Sequence, residues 1–345
     1  MKKGNKFGTH RVIEPKGVLP QPAWKIDNTM EIYDNEILIN VQRLNIDSAS
    51  FTQIKDEVGH DAEKIASKML SIVAERGKHH NPVTGSGGML IGTVEQIGPA
   101  LEGKTDLKVG DRIATLVSLS LTPLRIDEIV KVYVEKDQVD IKGKAILFET
   151  GIYAKLPTDM DEALALAVLD VAGAPAQTAK LVKPGDTVLL IGGAGKSGLL
   201  CLAEARKHGG ISSKIIVIGY SDEECDIARS LGLADYVVKA DATDAISVYE
   251  KIQEITDGEM CDLTINMVNV PNTEMASIMA TKDSGIVYFF SMATSFTKVA
   301  LGAEGIGKEP LLIVGNGFTK HHAQIALQTV RENPAIRKIY EEKYI

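Results

Sequence analysis

The sequence predicts an α/β protein with a barrel-like domain followed by a doubly wound parallel sheet. Three observations support this fold class. Short strands separated by Gly and Asp turns fill the first ~155 residues, which is typical of a small barrel. Strands and helices then alternate, which indicates a parallel sheet. A glycine-rich turn at residues 192–198 joins the first strand of the second region to a helix.

The strands of the first region follow from apolar alternation. Ile37, Ile39 and Val41 recur at every second position, which is the period of a strand. Turn residues bound the other apolar runs. The further strands predicted here are Met89–Val94, Arg112–Val117 and Ile129–Val134.

One helix is predicted inside this region. Ile65, Met69 and Val73, together with Ile72, fall on one helical face. Asp61 precedes them as an N-cap, and Gly77 follows as the end. Two interpretations remain open, a surface helix or a lid.

The second region begins with an Ala- and Leu-rich helical stretch, Asp161–Ala179. Its alternating pattern is that of βα units. The predicted strands are Thr187–Ile191, Lys214–Ile218, Tyr236–Val238, Asp262–Asn266, Gly285–Phe290 and Leu311–Val314. The predicted helices are Leu199–Lys207, Glu223–Leu231, Val248–Thr256, Thr273–Met279 and His321–Glu332.

Composition limits the function classes. The chain is 44% apolar and 24% charged, as in globular proteins, and its formal net charge is −8. This charge argues against nucleic acid or an anionic membrane as partner. No apolar run approaches the roughly 18 residues of a membrane helix, and no apolar signal core follows the basic N-terminus. The three cysteines cannot form a disulfide framework. We therefore expect a cytoplasmic protein.

The glycine-rich turn predicts a dinucleotide site. Gly193, Gly195 and Gly198 fit G-x-G-x-x-G between a strand and a helix, where backbone approaches a pyrophosphate. The residues between them complete the predicted loop: Ala194, Lys196 and Ser197. A phosphate loop for a nucleoside triphosphate would need glycine at Leu190. A purely structural turn is the other alternative.

Cofactor choice depends on the end of the second strand of this sheet. A carboxylate there usually binds the ribose 2′-hydroxyl, but this strand ends in Gly219, Tyr220 and Ser221. Asp222 comes several residues late. Ser221 could bond a 2′-phosphate and Tyr220 could cover the adenine. The sequence therefore predicts that NADP is accepted, with NAD as the alternative.

The order of motifs resembles the medium-chain dehydrogenase/reductase superfamily. The matching elements are Gly92–Val94 with Gly98, Val109–Arg112, Val188–Gly198 and Ala228–Asp235. The resemblance implies a GroES-like catalytic domain at residues 1–160 and 319–345. It implies a Rossmann domain at residues 161–318, and a homodimer formed through those domains.

Departures from that superfamily concern zinc. Where zinc-dependent members carry Cys-Gly-(Ser/Thr)-Asp, this chain has Asp47–Ser50, and where they carry Gly-His-Glu it has Gly87–Met89. Their third ligand falls near Asp170–Ala174, a stretch without cysteine. Catalytic zinc needs three protein ligands. We therefore expect no catalytic metal.

A narrower resemblance rests on Phe7–Pro15, Pro82–Met89 and Phe148–Tyr153. These stretches are similar to an amine-oxidising branch of the superfamily, found in lysine fermentation. The resemblance implies NAD(P)-dependent oxidation of the 3-amino group of a diamino acid, with release of ammonia and a 3-oxo acid. A zinc-free NADPH-dependent enoyl or quinone reductase is the alternative. A non-catalytic nucleotide-binding protein is a third.

Catalytic candidates follow from superfamily positions. Asp47 occupies the first metal-ligand position, so we expect it near the nicotinamide as an ammonium ligand or base; a helix or turn cap is its structural alternative. His79 and His80 precede the 82–89 loop and titrate in the useful range. Glu149 ends the barrel half and is a further candidate to bind an ammonium group.

Two arginines, Arg125 and Arg43, are candidates to hold a substrate carboxylate, because guanidinium offers a planar fork of donors. The superfamily holds the nicotinamide with residues after the fourth and fifth strands. The matching positions in this chain are Val268, Asn269, Ser291 and Met292.

Overall fold

The computed structural model describes the chain except residues 82–84, 86 and 316 and the side chains of residues 48 and 49. It contains two compact units, Met1–Asp159 and Met160–Ile345. The first carries an antiparallel sheet and the second a parallel sheet, which confirms the predicted fold class.

The antiparallel sheet of the first unit has six strands in the order β6-β7-β3-β4-β5-β8. A separate antiparallel pair, β1–β2, precedes it. The four predicted strands are confirmed with different bounds, whereas β1, β2, β7 and β8 were not predicted. The strands are β1 (Val12–Glu14), β2 (Lys25–Ile26), β3 (Glu36–Asn45), β4 (Met89–Ile97), β5 (Arg112–Thr115), β6 (Leu124–Tyr133), β7 (Gln138–Phe148) and β8 (Tyr153–Lys155).

Two helices follow β3, α1 (Ser48–Val58) and α2 (Ala62–Arg76). The predicted signals of α2 are confirmed: the Asp61 carboxylate accepts hydrogen bonds from the backbone at the helix start, and Gly77 ends the helix with φ 73°. Ile65 and Met69 are fully buried in the core of the unit. The inner face of α2 is therefore a fixed part of that core.

A buried ion pair attaches the N-terminal segment to β3. The Arg11 guanidinium donates to both Glu36 carboxylate oxygens, from Nε at 2.8 Å and from Nη2 at 2.6 Å. Burial raises the pKa of Glu36, but hydrogen bonds from Arg11, His10 and the Tyr33 backbone outweigh it and bring the pKa to about 2. The Phe7–Pro15 stretch thus has a structural role in this unit.

The second unit has a parallel sheet in the order β11-β10-β9-β12-β13-β14. The chain leaves β9 toward one edge, and later returns to β12 on the other side of β9. A topological switch point therefore lies between β9 and β12. The strands are β9 (Thr187–Ile191), β10 (Lys214–Gly219), β11 (Tyr236–Lys239), β12 (Cys261–Asn266), β13 (Thr281–Phe289) and β14 (Leu311–Val314).

Helices of this unit cover the sheet, and nine are present among the described residues. Those predicted from helical periodicity are confirmed within a few residues, except that the stretch 161–179 is broken into two. Two others, α9 and α11, were not predicted. They are α3 (Glu162–Leu169), α4 (Gly173–Leu181), α5 (Lys196–Gly209), α6 (Asp222–Ser230), α7 (Ala245–Ile255), α8 (Glu274–Met279), α9 (Phe296–Gly305), α10 (His322–Glu332) and α11 (Pro334–Lys343).

The C-terminal segment differs from the expected domain division. Residues 319–345 were expected with the first domain, but the structure places them in the second unit. There α10 packs on α3, α4 and α5, and α11 packs on α3 and α5. Both helices are amphipathic and bury their apolar faces against these neighbours. None of the helices in the described ranges is long and apolar enough to cross a membrane.

Candidate active site

The glycine-rich turn between β9 and α5 depends on two glycines for its shape. Gly192, one residue before the predicted motif, has φ +82°, a conformation that favours glycine. A Cβ on Gly198 would lie 2.1 Å from the Gly192 carbonyl oxygen, so no larger residue fits there. Gly195 is the N-cap of α5. The turn thus brings backbone N–H groups to the start of a helix, where phosphate binds.

A cavity of about 490 Å³ opens at the carboxyl ends of β9, β10 and β12. This is the switch point of the sheet, where doubly wound folds bind nucleotides. No lysine, arginine or histidine is found among the described residues that line it. They are Ile191, Gly192, Gly195, Ile218, Tyr220, Glu224, Ala240–Thr243, Met267–Val270 and Thr273.

The end of β10 carries a carboxylate that the sequence analysis did not assign there. Glu224, in the first turn of α6, reaches back and accepts a hydrogen bond from the Tyr220 backbone N–H at 2.6 Å. Its side chain also lines the cavity. The strand end itself has no carboxylate, as the sequence indicated, but Glu224 supplies one beside it from α6. Ser221 has a capping role, because its Oγ accepts a hydrogen bond from the Glu224 backbone.

The remaining predicted cofactor residues divide into two groups. Val268 and Asn269 line the cavity, and Asn269 Oδ1 lies 3.4 Å from the Ser291 Oγ. The side chain of Met292 is 82% exposed and does not line the cavity. Within the turn, Gly193, Ala194 and Ser197 are buried, whereas Lys196 forms an ion pair with Asp170 at 2.7 Å. The fit of a dinucleotide therefore depends mainly on backbone groups.

In the first unit, Asp47 is the N-cap of α1. Its Oδ1 accepts a hydrogen bond from the Ser50 backbone N–H at 3.0 Å. The structural alternative weighed for this residue is thus present. The hydrogen bond from Ser50 uses one of the about four acceptor positions that a carboxylate offers. An aspartate at this position can cap the helix and also bind an ammonium group.

His79 is almost fully buried, with 1% exposure, and is close enough to Asp47 for the aspartate charge to raise its pKa. Neither ring nitrogen has a hydrogen-bond partner of ordinary geometry among the described residues. Burial lowers the pKa of His79 to about 4, opposed by the charge of Asp47. The imidazole is therefore neutral at pH 7, and the negative charge of the Asp47 carboxylate acts on it.

Gly88 brings the segment after residue 86 close to Asp47. It has φ +95°, and a Cβ there would lie 2.1 Å from the Asn45 carbonyl oxygen and 2.9 Å from the Asp47 nitrogen. Only glycine fits this approach. By the superfamily pattern, Gly88 stands where zinc-dependent members carry a histidine ligand. The preceding part of the predicted loop, residues 82–84 and 86, lies outside the described residues.

His80 contacts an arginine that the sequence analysis did not consider. Arg76 Nη1 donates to the His80 carbonyl oxygen at 2.9 Å and lies 3.2 Å from its Nδ1. Burial, together with the charges of Lys78 and Arg76, lowers the pKa of His80 to about 4. The structure thus brings Asp47, His79 and His80 into one region of the first unit.

The other predicted residues lie elsewhere. Glu149 follows β7 and accepts a hydrogen bond from Asn35, near the start of β3, whereas Asp47 follows the end of β3. The ten residues of β3 span about 30 Å, so Glu149 is at the opposite end of the sheet. Arg125 forms an exposed ion pair with Asp127, and Arg43 is bonded to Asp140. The structure therefore does not support these three as partners of Asp47.

Metal ligands are not clustered in the described ranges: no group of three or more His, Cys, Asp or Glu side chains could hold a metal ion there. Position Asp170, near the third ligand of zinc-dependent members, is paired with Lys196.

Comparison with known families finds a matching family model in each half of the chain. A family model described as L-erythro-3,5-diaminohexanoate dehydrogenase N-terminal domain matches residues 10–157. A model described as zinc-binding dehydrogenase matches residues 198–305, a stretch that contains neither Asp47 nor Gly88. With the antiparallel unit and the Rossmann cavity, these matches define a dehydrogenase of the medium-chain dehydrogenase/reductase superfamily.

Two relatives carry the comparison over the full chain. A protein named L-erythro-3,5-diaminohexanoate dehydrogenase from Acetoanaerobium sticklandii is 62% identical over 99% of this chain and 100% of its own length. One of the same name from Fusobacterium nucleatum is 62% identical over 100% of both chains. The chain therefore belongs to the L-erythro-3,5-diaminohexanoate dehydrogenase family, as the narrower resemblance predicted.

Solved structures share the fold at low sequence identity. An alcohol dehydrogenase from Thermotoga maritima has a TM-score of 0.55 at 16% identity, over 90% of this chain and 86% of its own. The CurK enoyl reductase has a TM-score of 0.55 at 16% identity, over 97% of this chain and 88% of its own. These similarities support the fold alone.

Proposed function

We propose that the protein oxidises the 3-amino group of L-erythro-3,5-diaminohexanoate with NAD(P), giving 5-amino-3-oxohexanoate and ammonia. The observation that carries this proposal is the arrangement around Asp47. By resemblance to zinc-dependent members, Asp47 stands at the position of a cysteine ligand and Gly88 at that of a histidine ligand, and a side chain at position 88 would collide with the backbone of Asn45. An alcohol would need an electrophile here. An amine needs an anionic group that binds its ammonium form.

The first requirement of the reaction is a neutral amine. An alkylammonium with a pKa near that of lysine, about 10.4, loses its proton at pH 7 at a cost of about 4–5 kcal/mol. Asp47 binds the ammonium group and acts as the base that takes one of its protons, which leaves the neutral amine, and the proton then passes to solvent. His79 is neutral because burial lowers its pKa to about 4, so the ring accepts a hydrogen bond without repelling the ammonium.

The second requirement is hydrolysis. When the C3–H bond breaks with its electron pair, the substrate becomes an iminium ion, and a bound oxidised nicotinamide supplies the hydride acceptor. Water then adds to C3 and loses a proton, the nitrogen gains a proton and leaves as ammonia, and loss of the hydroxyl proton to solvent gives the carbonyl. Asp47 serves this step too, because its carboxylate can hold the attacking water by accepting a hydrogen bond.

For the cofactor, the cavity at the switch point favours NAD(H) over NADP(H). Glu224 offers a carboxylate where the adenosine ribose is bound in this fold class, and its free oxygen can accept a hydrogen bond from a 2′-hydroxyl. A 2′-phosphate would meet this negative charge, and the described lining residues contribute no cation. The sequence analysis expected NADP to be accepted without a preference between the two cofactors, and Glu224 is the residue on which we base the preference for NAD(H).

The biological setting is also part of the proposal. Cys201, Cys225 and Cys261 are free and buried thiols, as is usual in a reducing cytoplasm.

The edge strand β14 exposes Leu311 and Val314, with 60% and 58% exposure. A second copy that pairs along this edge would cover them and give a homodimer. With this substrate, the setting that we propose is lysine fermentation.

A substrate panel tests the activity. Reduction of NAD and NADP is followed at 340 nm with 3,5-diaminohexanoate, simple β-amino acids and alcohols, and oxidation of the reduced cofactors is followed with enones. We expect turnover with the diamino acid and none with the alcohols or enones. Turnover confined to enones would contradict the proposal and support a reductase.

A further inference from the structure

Two buried cations of the first unit are hydrogen-bonded only to neutral groups within the part of the chain that the structure describes. Lys78 is 0% exposed, and its Nζ donates to the carbonyl oxygens of Pro20 and Gln21 at 2.7 and 2.9 Å. Arg76 is 8% exposed, and its Nη1 donates to His80. Buried charges are normally paired, because desolvation of an unpaired ion is costly. Lys78 is held by the two carbonyl oxygens and does not line the cavity described next, so Arg76 is the cation that points to an anion there.

Arg76 also faces a cavity of about 90 Å³ between α1, α2 and the segment 76–81. Its Nε is buried and makes no hydrogen bond with any described residue. The same holds for the Oγ of Ser50, on the opposite wall. A water molecule occupies about 30 Å³ in the liquid. The cavity thus admits a carboxylate group but not a whole diamino acid.

The local charge suits an anion. Burial lowers the pKa of both Arg76 and Lys78, Arg76 additionally lowers that of Lys78, and the charge of Glu75 opposes the lowering at Arg76. These shifts mean that an added negative charge would be stabilised here. Two carboxylates reach the cavity wall, but Glu57 is paired with Lys68 and Glu75 is exposed.

The cavity adjoins Asp47, the residue proposed to bind the substrate amine. Ser50 lines the cavity, and its backbone N–H is bonded to Asp47. His79 lines it too and is close enough to Asp47 for the aspartate charge to raise its pKa. In a 3-amino acid, a single methylene separates the carboxylate from the carbon that bears the amine. A cavity with Arg76 in its wall, next to Asp47, therefore matches the two charged ends of such a substrate.

We infer that the cavity lined by Arg76 and Ser50 binds the substrate carboxylate. This inference rests on the proposed function and extends it to the residues that select a 3-amino acid over a simple amine. It also gives Arg76 the role of carboxylate ligand that the sequence analysis assigned to Arg125 and Arg43. The guanidinium groups of those two arginines form ion pairs with aspartates on strands of the sheet.

The test compares 3,5-diaminohexanoate with its primary amide, which removes only the negative charge at C1. The Arg76 guanidinium stacks on Trp24, with Cζ 3.9 Å from the ring centroid, and Arg76→Met keeps an unbranched side chain but removes this stacking together with the charge. We expect this variant to lose on the order of 100-fold in kcat/KM toward the acid and less than about 5-fold toward the amide. Arg125→Met is the comparator and should show no such difference.

Several outcomes would overturn the inference. Arg76→Met could lose kcat/KM equally toward the acid and the amide. The wild type could have the same kcat/KM for both. Arg125→Met could lose kcat/KM toward the acid but not toward the amide. If Arg76→Met fails to fold by circular dichroism, Arg76→Lys decides, because it keeps the charge and removes the fork; an unchanged preference for the acid would contradict a role for Nε.

Calorimetric titration of acid and amide into the wild type separates this inference from the proposed function. If turnover of the acid is absent, the proposed function fails, whereas tighter binding of the acid than of the amide would still support the carboxylate cavity. Equal binding of both would reject the cavity independently of turnover.

Discussion

Asp47 accepts a hydrogen bond from the backbone N–H of Ser50 and so caps α1, and its charge also acts to raise the pKa of His79. Capping and charge can be separated at this residue, because asparagine caps helices as well as aspartate does. We predict that Asp47→Asn folds normally and loses about 10²–10³-fold in kcat/KM, the cost of removing one partner of a desolvated charged hydrogen bond.

The matched control for that variant is Asp61→Asn, the same change at the N-cap of the neighbouring helix α2. Its activity should equal that of the wild type. Near-normal turnover of Asp47→Asn would show that the ammonium is bound elsewhere. Loss of folding in Asp47→Asn, but not in Asp61→Asn, would make the residue purely structural.

Glu224 is predicted to determine cofactor choice. In Glu224→Gln the charge that opposes a 2′-phosphate is gone, so the ratio of kcat/KM for NADP over NAD should rise about 10-fold or more. Dissociation constants from fluorescence titration of the two reduced cofactors should change in the same direction. Glu223→Gln, in the same helical turn but paired with Lys343, is the control.

An unchanged ratio in Glu224→Gln would remove this residue from the cofactor site. Gly219→Asp is a less direct probe. A Cβ at Gly219 would lie 3.0 Å from the Cys225 Sγ and 3.2 Å from the Glu224 Cβ, so an aspartate there would crowd the residue under test.

His79 is predicted to make stability depend on pH. Burial lowers its folded pKa to about 4, from 6.5. Between these values the unfolded chain binds a proton that the folded chain does not, so the free energy of unfolding should fall as pH decreases from 6.5 to 4. The contribution is about 3 kcal/mol and is fully present above pH 6.5.

Urea unfolding at several pH values measures this effect. His79→Leu should be flatter than the wild type between pH 6.5 and 4, and within about 1 kcal/mol of it at pH 7.5. His60→Gln, at an exposed histidine, should keep the wild-type slope. An identical slope in His79→Leu would mean that this ring is not buried in the neutral form.

Catalytic zinc is predicted to be absent from active protein. Asp47, Gly88 and the stretch 170–174 match the zinc-ligand positions of zinc-dependent superfamily members. Catalytic zinc needs three protein ligands. Elemental analysis should give less than about 0.1 zinc per chain, and dialysis against a chelator should leave the activity unchanged. One zinc per chain, lost together with activity, would contradict this prediction.

Much of the fold was predictable because its signals are local. The alternation of β3, the cap and stop of α2 and the strand–turn–helix at 187–198 are written in consecutive residues. The elements that were missed have weaker local signals. Helix α1 is rich in polar residues, and α11 buries few side chains, so tertiary packing decides them.

The site was less predictable, because it depends on side chains that approach from distant or folded-back positions. Glu224 is placed at the end of β10 by a turn of α6, which no strand pattern reveals. The burial of Arg76 depends on α1 and Trp24. Conversely, Glu149 looked close to the site in sequence order, but β3 and β7 run antiparallel and carry it to the other end of the sheet.

The central claim is that an amine is oxidised and then hydrolysed, and the ratio of ammonia released to cofactor reduced tests it most directly. With 3,5-diaminohexanoate and NAD, an enzymatic ammonia assay run beside the 340 nm measurement should give one ammonia per reduced nicotinamide, with 5-amino-3-oxohexanoate as the carbon product. Reduced cofactor without ammonia, or no reduction of cofactor with the diamino acid, would contradict the account.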